Sequence, residues 1–83
     1  MKYNVLQFIT NDKGQYSATI SATCGDLKTA RFNFLSAART LVNASDVEYA
    51  VVKIEDEYGN ETPWREVIDN RPEPIPDEPT ESA

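Results

Sequence analysis

Apolar and polar positions alternate at the start of the chain, take up a helical spacing in the middle, and alternate again towards the end. Tyr3 to Thr10 is rich in aromatic and β-branched residues, which suit a pleated strand. Asn11-Asp12-Lys13-Gly14 is a turn cluster, with Gly14 free to adopt positive φ. Beyond it Tyr16, Ala18, Ile20, Ala22 and Cys24 alternate with Ser17, Thr19, Ser21 and Thr23. This is the period of a strand with one buried and one wet face. Gly25-Asp26 breaks the alternation, and the Asp26 carboxylate suits an N-cap.

From Leu27 the period becomes helical. Leu27, Ala30, Phe34, Ala37, Ala38, Leu41, Val42 and Ala44 fall on one broad face, with Leu35 at its margin. Thr29, Asn33, Ser36, Arg39, Thr40 and Asn43 fall opposite, and the turn-favouring residues from Asn43 to Asp46 end the helix. Val47 to Glu55 predicts a third strand, with Ala50, Val52 and Ile54 on one face and Tyr49, Val51 and Lys53 on the other. Tyr58-Gly59-Asn60-Glu61 is a turn. Thr62 to Asp69 predicts a fourth strand that Pro63 confines to its start or to a sheet edge.

The expected fold is α+β with the order ββαββ: a four-stranded, mostly antiparallel sheet and one helix on one face. The compact domain is expected to span residues 1–70. Four prolines interleaved with acids follow, so residues 71–83 are expected to form a disordered acidic tail.

Charge sharpens this division. The chain carries 14 acidic and 8 basic residues, a formal −6, and four of the acids lie between Pro72 and Ala83 with no base among them. The body is thus only mildly acidic. Nucleic acid is not favoured as a partner, because counterion release from phosphates rewards a basic excess that is missing here. No apolar run approaches the roughly 20 residues that cross a bilayer. The start of the chain has no hydrophobic stretch of signal-peptide type. With a single cysteine no internal disulfide can form. A cytoplasmic location follows as the expectation, with no membrane partner.

Chemistry has little to stand on. The chain has no histidine, which removes the commonest general base and metal ligand. Cys24 has no imidazole to activate it and continues an apolar stripe, so it is expected to be buried as a small hydrophobe. The glycines are isolated turn positions, without a phosphate-cradling run. Neither an enzyme nor a cofactor nor a metal centre is expected.

Three features point elsewhere. Glu55, Asp56, Glu57, Glu61 and Glu66 form a candidate acidic patch, although their spacing does not match a calcium loop. Phe32 falls outside the apolar helix arc between Lys28 and Arg39, where it is either covered by another element or a contact point. Strands one and three are apolar on both sides, and one helix covers one face. The surplus marks an interface with candidates Tyr49, Val51, Tyr3, Val5 and Phe32. The leading expectation is a non-enzymatic protein-interaction module that self-associates as a homodimer through its open sheet face. One alternative is an acidic inhibitor of the phage or mobile-element type, blocking a nucleic-acid-binding partner by charge mimicry. Another is a single-strand nucleic-acid binder that stacks bases on Tyr3, Phe8, Tyr49 and Lys53.

Overall fold

The computed structural model describes residues 1–71. Strands β1 (Tyr3–Asn11) and β2 (Tyr16–Cys24) form a hairpin, helix α1 (Leu27–Asn43) follows, and β3 (Val47–Asp56) and β4 (Glu61–Asp69) form a second hairpin. The four strands make one antiparallel sheet in the order β2-β1-β3-β4, so the expected ββαββ architecture is the one observed. The expected tail, apart from Arg71, lies outside the described residues.

Local chemistry accounts for the element ends. The Asp26 carboxylate accepts from the Thr29 amide at 2.7 Å and starts the helix as an N-cap. Both hairpins use the same device. An Asx side chain accepts amides two and four residues on: Asn11 from Lys13 and Gln15, Asp56 from Tyr58 and Asn60. Gly14 and Gly59 then turn the chain at φ 79° and 85°. This is the three-residue hairpin in which a left-handed residue follows a type I turn. At the other end of the domain the Asn70 side chain donates to the Leu41 carbonyl at 3.1 Å, and the Asn70 amide donates to the Glu48 carbonyl at 2.9 Å. One residue thus ties the last turn of α1 to the β3–β4 ladder.

Register fixes the faces. Val5 lies opposite Ile54, Gln7 opposite Val52 and Ile9 opposite Ala50, all on the helix side. Ala50, Val52 and Ile54 are fully buried there together with Val5, and Ala30, Phe34 and Leu41 press on them from α1. The expected division of β3 into a covered and an open side therefore holds. Cys24 is buried in the same core, with the Asn33 side chain 3.5 Å from its sulfur. Trp64 packs against the core from β4, and the Arg31 guanidinium lies 5.1 Å over its ring.

Two expectations need correction. The alternation of β2 does not describe one continuous buried stripe. Ala22 pairs with Val5, but Ile20 pairs with Leu6, so Ser21 is an extra residue and the strand changes phase there. Ala22 and Cys24 face the helix, whereas Tyr16, Ala18 and Ile20 face the opposite side with Leu6 and Phe8. The Ser21 hydroxyl donates to the Val5 carbonyl at the bulge. On α1, Val42 and Leu35 are exposed rather than buried. The arc that reaches the sheet is centred on Ala30, Phe34 and Leu41 and is narrower than the full apolar set.

Ile54→Ala should cost about 2–5 kcal/mol, the range for truncating a large aliphatic side chain in a packed core. Asn70→Ala should cost about 1 kcal/mol, since the Leu41 carbonyl loses its side-chain donor and keeps only the Ala44 amide. Urea titrations followed by circular dichroism check both, and an unchanged Asn70→Ala midpoint would show that the helix end needs no tether. Cys24 should resist thiol reagents until the chain unfolds, which a labelling time course reads directly.

Candidate interaction surface on the open sheet face

The side of the sheet away from α1 is built of cross-strand rows. The central row runs Ala18, Phe8, Val51, Val67 across β2, β1, β3 and β4, and is apolar throughout. On one side of it lies Tyr16, Thr10, Tyr49, Asp69, and on the other Ile20, Leu6, Lys53, Arg65. Glu55 and Glu61 pair beyond Lys53 and Arg65. The face is therefore divided: aliphatic and aromatic over β2 and β1, charged at both ends of β3 and β4. A shallow depression of about 330 Å³ sits over its middle, floored by Phe8, Tyr16, Tyr49 and Val51 and rimmed by Lys53 and Arg65.

The charges on this face are mostly neutralised in place. Lys53 Nζ lies 2.8 Å from Glu61 and 3.1 Å from Glu55, and 5.3 Å from the centre of the Phe8 ring. The hydrogen bond to Glu61, then that to Glu55, raises the Lys53 pKa, and the same bond lowers that of Glu61. At the other end Arg71 forks onto Asp69 and lies 5.2 Å over the Tyr49 ring. The guanidinium holds the Asp69 carboxyl down to about 2. Arg65 has no carboxylate within ion-pair distance among the described residues.

The candidate residues separate accordingly. Tyr49 and Val51 belong to the open face. Val5 does not: it is fully buried beneath α1, and Tyr3, two residues before it on the same side, packs against the core. Both phases of β1 are apolar, so its sequence alone could not say which set the helix takes. Phe32 is 70% exposed on the outer side of α1, where no described element covers it. It stands with Leu35 and Val42, also exposed, beside Lys28 and Arg39, as a second surface separate from the sheet.

Of the five acids, Glu55, Asp56, Glu57 and Glu61 gather at the β3–β4 hairpin and Glu66 stands apart. Glu55 and Glu61 are held by Lys53, and Asp56 is engaged in its own turn, where the Asn60 amide first of all lowers its pKa. Glu57 accepts from the Lys2 amide, and Glu66 lies on the helix side of β4, opposite Val52. Among the described residues no group of His, Cys, Asp or Glu could hold a metal ion. The stacking platform assembles only in part. Phe8, Tyr49 and Lys53 share the open face, whereas Tyr3 is on the other side and Lys53 is engaged by two carboxylates.

Sequence reasoning missed Tyr16, Ala18 and Ile20 as open-face residues because the Ser21 bulge is silent in the hydrophobic pattern, and Leu6 because both phases of β1 are apolar. No family model matches the chain, and neither a curated protein nor a solved structure does. No helix among the described residues is long and apolar enough to cross a membrane.

The carboxyls of Asp26, Asp56 and Asp69 all titrate below the ordinary 3.8 in the folded chain. A folded-state pKa below the unfolded one gives stability that is present above the unfolded value and lost as pH falls through the folded one. The thermal midpoint should therefore fall between pH 3.8 and about 2, the value reached by Asp69. Asp56→Asn, which keeps the acceptor but cannot titrate, should flatten that fall; an identical slope would exclude the turn as a contributor.

Proposed function

We propose that this chain is a non-enzymatic protein-interaction module that self-associates as a homodimer, with the apolar half of its open sheet side in the contact. The observation that carries this reading is the apolar half over β2 and β1, Ala18 and Phe8 with Leu6, Ile20 and Tyr16 beside them, on a side that no described element covers. Tyr16 and Ile20 are 66% and 59% exposed there. Contiguous apolar surface of this kind marks interaction sites in small domains. A domain of this size also has a thin core, and joining the apolar half of this side to that of a second copy adds burial at about 25 cal/mol per Å². The buried Cys24 and the absence of histidine leave nucleophilic and acid–base catalysis without their usual groups.

The two alternatives draw less support. Charge mimicry needs free acids presented together, and here Lys53 neutralises Glu55 and Glu61, Asp56 is engaged in its own turn, and Glu66 lies on the other side of the sheet. Base stacking on Phe8 and Tyr49 needs cations for the phosphates. Lys53 is engaged by Glu55 and Glu61 and Arg71 by Asp69, which leaves Arg65 as the cation beside the depression without an ion-pair partner among the described residues.

Sedimentation equilibrium of the full chain from micromolar concentration upwards should show a dimer that dissociates on dilution. Tyr16→Asp with Ile20→Asp should shift the equilibrium to the monomer by at least tenfold, the equivalent of about 1.4 kcal/mol. A mass of 9.3 kDa at every concentration would overturn the self-association.

A further inference from the structure

The two edges of the sheet are built differently. The β4 edge is protected in the manner of monomeric sheets, with Pro63 near its start and Glu61, Arg65, Glu66 and Asp69 along it. The β2 edge has none of this. From Tyr16 to Cys24 it carries no charge and no proline, and no described strand pairs with its outer side. Its residues Tyr16 to Ile20 are exposed throughout, because α1 reaches β2 only near Ala22 and Cys24. A long, uncharged edge is a template for a further strand.

The hydrogen-bond phase says which groups this edge offers. The Asn11 amide donates to the Gln15 carbonyl, so Asn11 and Gln15 are a hydrogen-bonded pair at the start of the β1–β2 ladder. Hydrogen-bonded and non-bonded pairs alternate in an antiparallel ladder. Ser17 opposite Ile9 and Thr19 opposite Gln7 thus turn their backbone groups towards β1. Tyr16, Ala18 and Ile20 turn theirs outwards. Those same residues place their side chains on the open face.

We infer that two copies of this chain join by antiparallel pairing of their β2 edges, with the two-fold axis at Ala18. The inference rests on the self-association proposed above and specifies how it occurs. The register is self-complementary. Ala18 faces Ala18 of the second copy, a small residue where two identical side chains must meet, and Tyr16 faces Ile20 in both directions. Every outward N–H and C=O of Tyr16, Ala18 and Ile20 then has a partner. An aromatic and a β-branched side chain lie side by side on the open face, a favourable cross-strand pair. No charge is brought against a like charge along this segment, although the chain as a whole is at −6. A single two-fold contact closes the assembly, since each copy has one such edge. The product is one continuous sheet whose apolar halves abut across the axis, and the charged β4 edges lie at its far ends.

The experiment compares the full chain with Ala18→Pro, Ala18→Lys and Val51→Asp by sedimentation equilibrium, with circular dichroism to confirm folding. Ala18→Pro removes an outward amide that the β1 ladder does not use, so it should fold and remain monomeric. Ala18→Lys sets two ammonium groups against each other at the axis and should also be monomeric. Val51→Asp, far from the edge, should still dimerise. In the unmodified chain the amides of Tyr16, Ala18 and Ile20 should exchange more slowly as concentration rises, while those of Ser17 and Thr19 stay protected throughout. A dimer that survives both Ala18 variants, or outward amides indifferent to concentration, overturns edge pairing and leaves self-association standing. Loss of the dimer in Val51→Asp alone would assign it to face-to-face stacking instead. A monomer at every concentration overturns both.

Discussion

Everything in this domain hangs on the pairing of β1 with β3. These two central strands carry Val5 against Ile54, Gln7 against Val52 and Ile9 against Ala50, and the helix packs across that seam. The outer strands join only by their hairpins, β2 to β1 and β4 to β3. Since β1 is antiparallel to both β2 and β3, the latter two run parallel with a strand between them, and α1 is the crossover that spans the gap. One helix spans one face, and that geometric limit leaves the other side of β1 and β3 open.

Where a residue's surroundings are local, the sequence announced them. Asp26 caps the helix because its carboxylate is three residues from the amide it serves, and the first turn is legible from Asn11 and Gly14. The second was placed at Tyr58–Glu61 by Gly59, whereas it opens at Asp56. The faces of β3 were legible because Ala50, Val52 and Ile54 differ plainly from Tyr49, Val51 and Lys53. The faces of β1 were not, since Leu6 and Phe8 are as apolar as Val5 and Ile9. Only pairing with β3 decides between them, and pairing is non-local. The tether made by Asn70 to Leu41 was hidden for the same reason.

The bulge at Ser21 is the most instructive of the hidden features. With a period of two, one additional residue moves everything beyond it to the other face. The run Tyr16 to Cys24 looks like a single stripe because the change of phase leaves no mark in hydrophobicity. In space it becomes two short stripes on opposite sides: Ala22 and Cys24 in the core, Tyr16, Ala18 and Ile20 outside. The candidate surface thus came into view only in part from the sequence. Tyr49 and Val51 were found on β3, while the β2 and β1 contributions needed the register.

The seam between β1 and β3 also governs how the chain reaches this state. Each hairpin is closed by a turn whose contacts span a few residues, so both can form early and independently. Val5 and Ile54, in contrast, are roughly fifty residues apart in sequence, and their meeting carries the loop-closure entropy of the intervening helix and strand. The pairing of β1 with β3 is therefore the step expected to limit folding. Substitutions in that seam are then expected to slow folding, and those at the β2 and β4 edges chiefly to speed unfolding.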